Sequence, residues 1–171
     1  MITAISPGSY DPVTLGHVDV IRRAAAIFDR VVVGVVRHPH HKEPTFTIEE
    51  RVEFVREALT DVPNVEVDVF AELVVEFARR WDAKAIVKGL RVISDFEWEF
   101  QMNQLNRHLA PEIETVYVMA SPQYSFISSS GVKEIAAFGG NVDGLVPFAV
   151  AKRFRELFPE GRGGAPTSPQ E

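Results

Sequence analysis

The sequence predicts an α/β fold: a single-domain, doubly wound, Rossmann-like parallel sheet of five strands with helices on both faces. Three observations carry this. Apolar, β-branched runs alternate with segments of helical period. No linker, repeat or break in composition divides the 171 residues. Polar and cationic residues gather just after the apolar runs rather than within them. Such alternation implies right-handed crossovers and a sheet covered by helices on both sides. Ligands in these sheets bind beyond the carboxyl ends of the strands.

The first strand carries Ile2, Ala4 and Ile5 and runs into Ser6-Pro-Gly-Ser-Tyr-Asp-Pro-Val-Thr-Leu-Gly-His17. Its glycine and prolines let the backbone turn tightly. A helix starting at Gly16 or His17 would aim unpaired N–H groups and its positive dipole end at an anion, with His17 in the first turn. Val18, Ile21, Ala25 and Phe28 continue at helical spacing. Arg30 to Val36 reads as the second strand, and the helix carrying Ile48, Val52, Val55 and Leu59 opens with a Thr47–Glu50 capping box. Val65 to Phe70 is the third strand, followed by a helix with Leu73, Phe77 and Trp81. After the fourth strand, Lys84 to Lys88, a second capping box at Ser94 and Glu97 starts a helix. Its stripe of Trp98, Met102, Leu105 and Leu109 is expected in the core or a subunit contact. Thr115 to Met119 is the fifth strand, and the Ser128 to Ser130 run opens a further helix, one serine capping it. All the strands read as buried on both faces. Residues 1–158 form the domain, and 159–171, rich in glycine and proline, are expected to be a disordered tail.

Composition narrows the function classes. The formal net charge is −6, so no global basic field recruits nucleic acid or an anionic membrane, and anionic ligands need local cations. Cysteine is absent, which excludes disulfide and thiol chemistry. No leader is visible, and no apolar run approaches the roughly 18 residues of a membrane span. A soluble, cytoplasmic protein with no membrane or nucleic-acid partner is expected.

Four strand ends would meet at one rim: the glycine-proline turn, Arg37-His-Pro-His-His-Lys42, Lys88-Gly-Leu-Arg91 and Ser121 to Ser130. His17, Lys42, Lys88 and Arg91 there offer cationic or donating groups, which with the serine run suits a phosphate-rich ligand. Thr-x-Gly-His lacks the glycines of a dinucleotide fingerprint and the lysine of a Walker loop. With no cysteine, no G-x-S-x-G and no Ser-His-Asp order, direct transfer between two bound substrates is favoured over a protein nucleophile. His38, His40 and His41 lack the supporting carboxylates of a metal site and read as a solvated loop. Asp11 fits either a metal ligand or a turn beside Pro12.

Six segments in order, from Ile2 to about Phe158, resemble the phosphopantetheine adenylyltransferase family: Pro-Gly-Ser-Tyr-Asp-Pro-Val-Thr-Leu-Gly-His, Phe-Thr-Ile-Glu-Glu-Arg, Lys-Gly-Leu-Arg, Asp-Phe-Glu-Trp-Glu, Asn-Arg-His-Leu and Tyr-Ser-Phe-Ile-Ser-Ser-Ser. Thr-x-Gly-His alone marks only the wider nucleotidyltransferase superfamily. The resemblance implies transfer of AMP from ATP to 4′-phosphopantetheine, yielding dephospho-coenzyme A and pyrophosphate. It implies a catalytic set of His17 on the α-phosphate, Lys42 near the attacking phosphate, and Arg91 and Ser129 on the leaving phosphates. By the same resemblance Ser9, Tyr10, His17, Gly89, Leu90, Arg91, Glu99, Tyr124, Ser125, Phe126, Ile127, Ser128, Ser129 and Ser130 bind ATP. Ser9, Lys42, Val74 and Lys88 would bind the acceptor. Magnesium would arrive with ATP, since no carboxylate cage is visible. A homo-oligomer, commonly a hexamer, and inhibition by coenzyme A are also implied. The rivals are a related transferase acting on nicotinamide mononucleotide or on a sugar or alcohol phosphate, and a non-catalytic nucleotide sensor. Nucleic-acid binding through Arg79 and Arg80 is disfavoured by the acidic balance.

Overall fold

Strands β1 (Thr3–Gly8), β2 (Arg30–Val36), β3 (Val65–Phe70), β4 (Ala85–Leu90) and β5 (Glu114–Met119) form one parallel sheet in the order β3-β2-β1-β4-β5. The structure is a computed structural model that describes residues 1–39 and 43–159. Helices α1 (Leu15–Ala25), α2 (Ile48–Ala58), α3 (Val74–Arg80) and α4 (Ile93–Leu109) connect the strands, and α5 (Ser129–Ala137) and α6 (Phe148–Leu157) follow β5. The chain winds outward from β1 to β3, then returns to the other side of β1 for β4 and β5. The topological switch point therefore lies between β1 and β4.

Alternation along the strands builds two apolar layers. Val31, Val33 and Val35 face a core completed by Ile21 of α1, Val55 of α2, Val132 of α5 and Phe154 of α6. Ile5, Val32 and Ile86 face the opposite core, closed by Val75, Phe77 and Ala78 of α3. The ring of Phe77 stacks on Phe70 at 4.7 Å between centroids. Gly34 lies where α3 comes closest to β2, because a Cβ there would run into the Phe77 ring.

The structure bears out the five strands, the parallel pairing and the helices on both faces, and corrects several details. β1 and β2 are buried on both faces, but the edge strands β3 and β5 are only half-buried. On β3 the open side carries charge, where Asp68 pairs with Arg80 at 2.8 Å and Glu66 pairs with Arg30. Helix α1 starts earlier than expected, capped by Thr14. The Thr47–Glu50 box forms on α2, whereas α4 begins at Ile93 after Val92, so the expected Ser94–Glu97 box does not cap it. Asp95 is the acid of that first turn. The α4 stripe is not core: Trp98 is 64% and Leu105 57% exposed. Helix α6 is an addition that the strand-helix alternation did not mark. Among the described residues no helix is long and apolar enough to cross a membrane. The expected tail falls, from residue 160 on, outside the described residues.

Replacing Gly34 with alanine should overpack the β2–α3 contact and destabilise the fold by about 1–3 kcal/mol. Urea unfolding of the variant checks this; an unchanged midpoint would mean that Phe77 yields without strain.

Candidate active site

The sheet opens at its switch point. β1 pairs with β2 from Thr3↔Arg30 to Gly8↔Val35, but with β4 only at Ala4↔Ala85 and Ile5↔Ile86. Pro7 has no N–H to offer a ladder on that side. Beyond Ile5 the two strands part, and a cleft of about 510 Å³ lies in the gap, with Ser6, Pro7 and Gly8 on one wall and Val87, Lys88 and Gly89 on the other. Its size falls within the roughly 300–1,000 Å³ of small-molecule sites.

The loop after β1 is fastened from below. Tyr10, with φ of 47°, turns its ring inward, and its hydroxyl donates to the Ser6 carbonyl at 2.9 Å. Gly8 leaves room for that ring, since a Cβ there would sit 3.0 Å from it. Burial pushes the Tyr10 phenol up to about 12, so it stays a donor. Asp11 accepts from the Thr45 and Phe46 amides at 3.0 and 2.9 Å and from Lys133 Nζ at 2.7 Å. Those bonds make Asp11 an anchor between loop, α2 and α5, favouring the turn reading over the metal one. Arg51, only 1% exposed, donates from Nη1 to the Ser9 and Val36 carbonyls at 2.8 Å and from Nη2 to the Arg37 carbonyl at 3.1 Å. One buried guanidinium thus ties the end of β1 to the end of β2. Its desolvation pulls its pKa below the ordinary value, opposed by the charges of Asp11 and Glu49.

His17 is the third residue of α1, and the capping geometry sets its chemistry. The Thr14 Oγ1 accepts from the His17 amide at 3.3 Å, while the Thr14 amide donates to His17 Nδ1 at 3.0 Å. Nδ1 therefore acts as acceptor, and the neutral ring carries its proton on Nε2. Tyr10 holds the ring edge-on at 5.2 Å between centroids. Burial first, and the charge of Arg91 second, lower the His17 pKa from 6.5 to about 4. At neutral pH the group is an uncharged Nε2–H donor beside a cation.

The other wall comes from β4, α4 and α5. Lys88 Nζ faces Glu99 at 3.7 Å. Arg91 donates from Nε and Nη2 to Asp95 at 3.1 and 3.2 Å and from Nη1 to the Ile127 carbonyl at 2.9 Å. Ser128 caps α5 by accepting from the Gly131 amide at 3.0 Å, and the Ser129 hydroxyl donates to the Pro12 carbonyl at 2.8 Å. The first backbone amides of α5 thus open on the same space as the start of α1.

Of the residues singled out in the sequence, Ser9, Tyr10, His17, Lys88, Gly89, Arg91 and Glu99 line this cleft, as do Tyr124, Ile127 and Ser128 to Ser130. Leu90, Ser125, Phe126 and Val74 are not among its lining. Phe126 is 72% exposed, Ser125 donates to the Pro122 carbonyl at 3.1 Å, and Val74 packs against the Phe77 core. His40, His41 and Lys42 lie outside the described residues. Arg79 is engaged by Glu76 and Glu112, and Arg80 by Asp68 and Glu72. Trp98, expected in the core or a subunit contact, is exposed and lines the cleft, which removes it from the core. Arg51, Asp95 and Lys133 were missed as site-builders. Arg51 left a readable signal, an arginine on the apolar stripe Ile48, Val52, Val55; Asp95 left one too, four residues after Arg91 on a helix start.

The cytidylyltransferase-like family matches residues 5–135. The phosphopantetheine adenylyltransferase of Caldanaerobacter subterraneus subsp. tengcongensis is 52% identical over 158 residues, covering 92% of this chain and 98% of that protein. The protein of the same name from Bordetella petrii is 52% identical over 171 residues, with 95% and 100% covered. That of Heliobacterium modesticaldum is 50% identical over 167 residues, with 97% and 99% covered.

The depressed His17 pKa has a defined consequence. The unfolded chain takes up this proton near 6.5 and the folded one only near 4, so the stabilisation is complete above 6.5 and is lost as pH falls towards 4. NMR titration of the free protein should give a His17 midpoint near 4, and His17→Gln should flatten that limb of the stability profile. A midpoint at 6.5 would mean a solvated, differently oriented ring.

Proposed function

This chain belongs to the phosphopantetheine adenylyltransferase family, and we propose that it transfers AMP from ATP to 4′-phosphopantetheine by direct in-line attack. The acceptor phosphate oxygen forms a bond to the α-phosphorus, the bond from that phosphorus to the bridging oxygen breaks, and pyrophosphate leaves with the electron pair. Dephospho-coenzyme A is the product. The observation that carries this reading is a neutral His17, protonated on Nε2, in the mouth of parted strands beside Arg91 and a helix start.

The attacking oxygen is already anionic, so no general base is required. Catalysis rests on positioning and on stabilising the charge that builds on the α-phosphate. His17 Nε2–H donates to that phosphate. A ring that stays neutral at working pH adds a directed hydrogen bond and keeps its proton. Arg91 and Ser129, with the amides opening α5, hold the β- and γ-phosphates. Ser9 bridges the two substrates, and Lys42 meets the acceptor phosphate. Lys88, on the β4 wall of the cleft, takes the rest of the acceptor. Tyr10, Gly89, Glu99, Tyr124, Ile127 and the Ser128 to Ser130 run frame the nucleotide.

Magnesium enters on the triphosphate. Among the described residues no three His, Cys, Asp or Glu side chains converge on a metal position, and Asp11 and Asp95 are already engaged by cations. When bound with the nucleotide, the ion would neutralise charge on the phosphates, while the protein's own donors orient them. The reading puts the enzyme in the cytoplasm, where ATP is supplied. Coenzyme A, which shares the product's skeleton, would compete for the same cleft. A homo-oligomer, as a hexamer, accounts for the apolar side chains that α4 leaves in solvent, among them Phe96 at 50%, Phe100 at 48% and Leu109 at 48% exposed.

Pyrophosphate release from ATP and magnesium should require 4′-phosphopantetheine and fall by at least about 10²-fold in folded His17→Ala. Release that survives the substitution removes His17 from the transition state. Release with nicotinamide mononucleotide in place of the pantetheine acceptor would move the enzyme to the neighbouring branch, and ATP binding without turnover would make it a sensor. Light scattering should give six times the chain mass, and Leu105→Glu should lower it; a monomer in both would remove the assembly.

A further inference from the structure

We infer that Asp95 is a positioning residue for nucleotide transfer, aiming the Arg91 guanidinium at the part of the nucleotide that leaves. The inference rests on the reading of Arg91 as a ligand of the β- and γ-phosphates and extends it to a residue outside the assigned set.

Asp95 is the third residue of α4, and its carboxylate turns back over the helix start. Oδ2 accepts from Arg91 Nε at 3.1 Å and from the Arg91 backbone amide at 3.2 Å, and Oδ1 accepts from Arg91 Nη2 at 3.2 Å. One carboxylate therefore fixes both the backbone and the side chain of Arg91. The guanidinium meets it along one edge, as two parallel charge-assisted bonds. The Ile127 carbonyl takes a third donor, on Nη1, at 2.9 Å. A guanidinium has five N–H donors. Those three contacts leave one N–H on each terminal nitrogen for an anion in the cleft that Asp95 itself lines.

The arrangement looks counterproductive by charge alone, because a carboxylate beside a triphosphate site repels the ligand. Geometry supplies the compensation. A free arginine on the rim, here 37% exposed, has many rotamers, and ordering it on binding opposes affinity. Pairing with Asp95 and Ile127 orders it beforehand. Because α4 begins three residues after β4 ends, the Asp95 carboxylate ties the aim of Arg91 to the sheet and not to the mobile end of a long side chain. Two outcomes thus separate the alternatives: if repulsion dominates, removing the charge tightens nucleotide binding; if aiming dominates, it weakens binding only for ligands that carry the leaving phosphates.

Asp95→Asn tests this, since the amide keeps the shape but presents a donor to a donor. Calorimetry with ATP, inorganic pyrophosphate and AMP reads the effect separately from turnover. ATP and pyrophosphate should bind about 10- to 100-fold more weakly, with AMP and 4′-phosphopantetheine unchanged within about twofold. In turnover the KM for ATP should rise and that for the acceptor should not. Asp95→Glu, which keeps the charge one methylene further out, should recover part of the loss, and it serves alone if the asparagine variant does not fold. Equal weakening of ATP and AMP would reduce Asp95 to a fold-stabilising helix acid, and tighter ATP binding would show that repulsion dominates; either overturns the inference. If the unsubstituted protein gives no acceptor-dependent pyrophosphate release, the assigned reaction fails, while the comparison of ATP with AMP still decides the role of Asp95.

Discussion

The early end of the pairing between β1 and β4 is the constraint on which the rest depends. A parallel sheet gains from continuing its ladder, and β1 does continue on the β2 side as far as Gly8. On the β4 side it stops after Ile5↔Ile86. The switch point of the winding supplies no crossover helix to fill the gap, so strand separation becomes a cleft instead of a buried void. Polar groups stand on both lips, His17 and Ser9 on the β1 side and Lys88 and Arg91 on the β4 side, with the Ser128 to Ser130 run at the start of α5 facing the same gap.

Parted lips need holding, and buried ion pairs and hydrogen bonds do this. Arg51 and Asp11 are almost fully buried, and each bonds to segments far apart in sequence. A buried charge without partners is strongly unfavourable, so each tolerates only the geometry that satisfies it. Together with the buried Tyr10 and Val13, these bonds hold the loop after β1 in one shape. The same logic reaches His17: the Thr14 cap orients its ring and fixes its tautomer, while burial and Arg91 keep it neutral.

The acidic character of the chain and its affinity for anions are compatible because its charges are segregated. Many carboxylates away from the cleft pair with arginines at the surface, as in Arg22–Asp61 and Arg79–Glu112. Such pairs contribute little stability but leave no stray cation field. Within the cleft the cations are few, directed, and joined by the N-terminal amides of α1 and α5. Local dipoles and forked donors of this kind suit a phosphate ligand.

By itself the sequence determined the class of sheet, its strands to within a residue or two, and the clustering of functional residues at strand ends. These are legible because hydrophobic periodicity and strand-end polarity are local properties. Motif order also carried the family. Tertiary structure alone decided that Trp98 leaves the core, that Val74 and Phe126 stand apart from the cleft, and that β3 and β5 show a half-open face. It also decided what Asp11 and Arg51 hold together, since their partners lie 14 to 122 residues away in sequence and come within hydrogen-bond distance only in the fold. Periodicity reports which face a residue occupies; only packing reports which groups share that face.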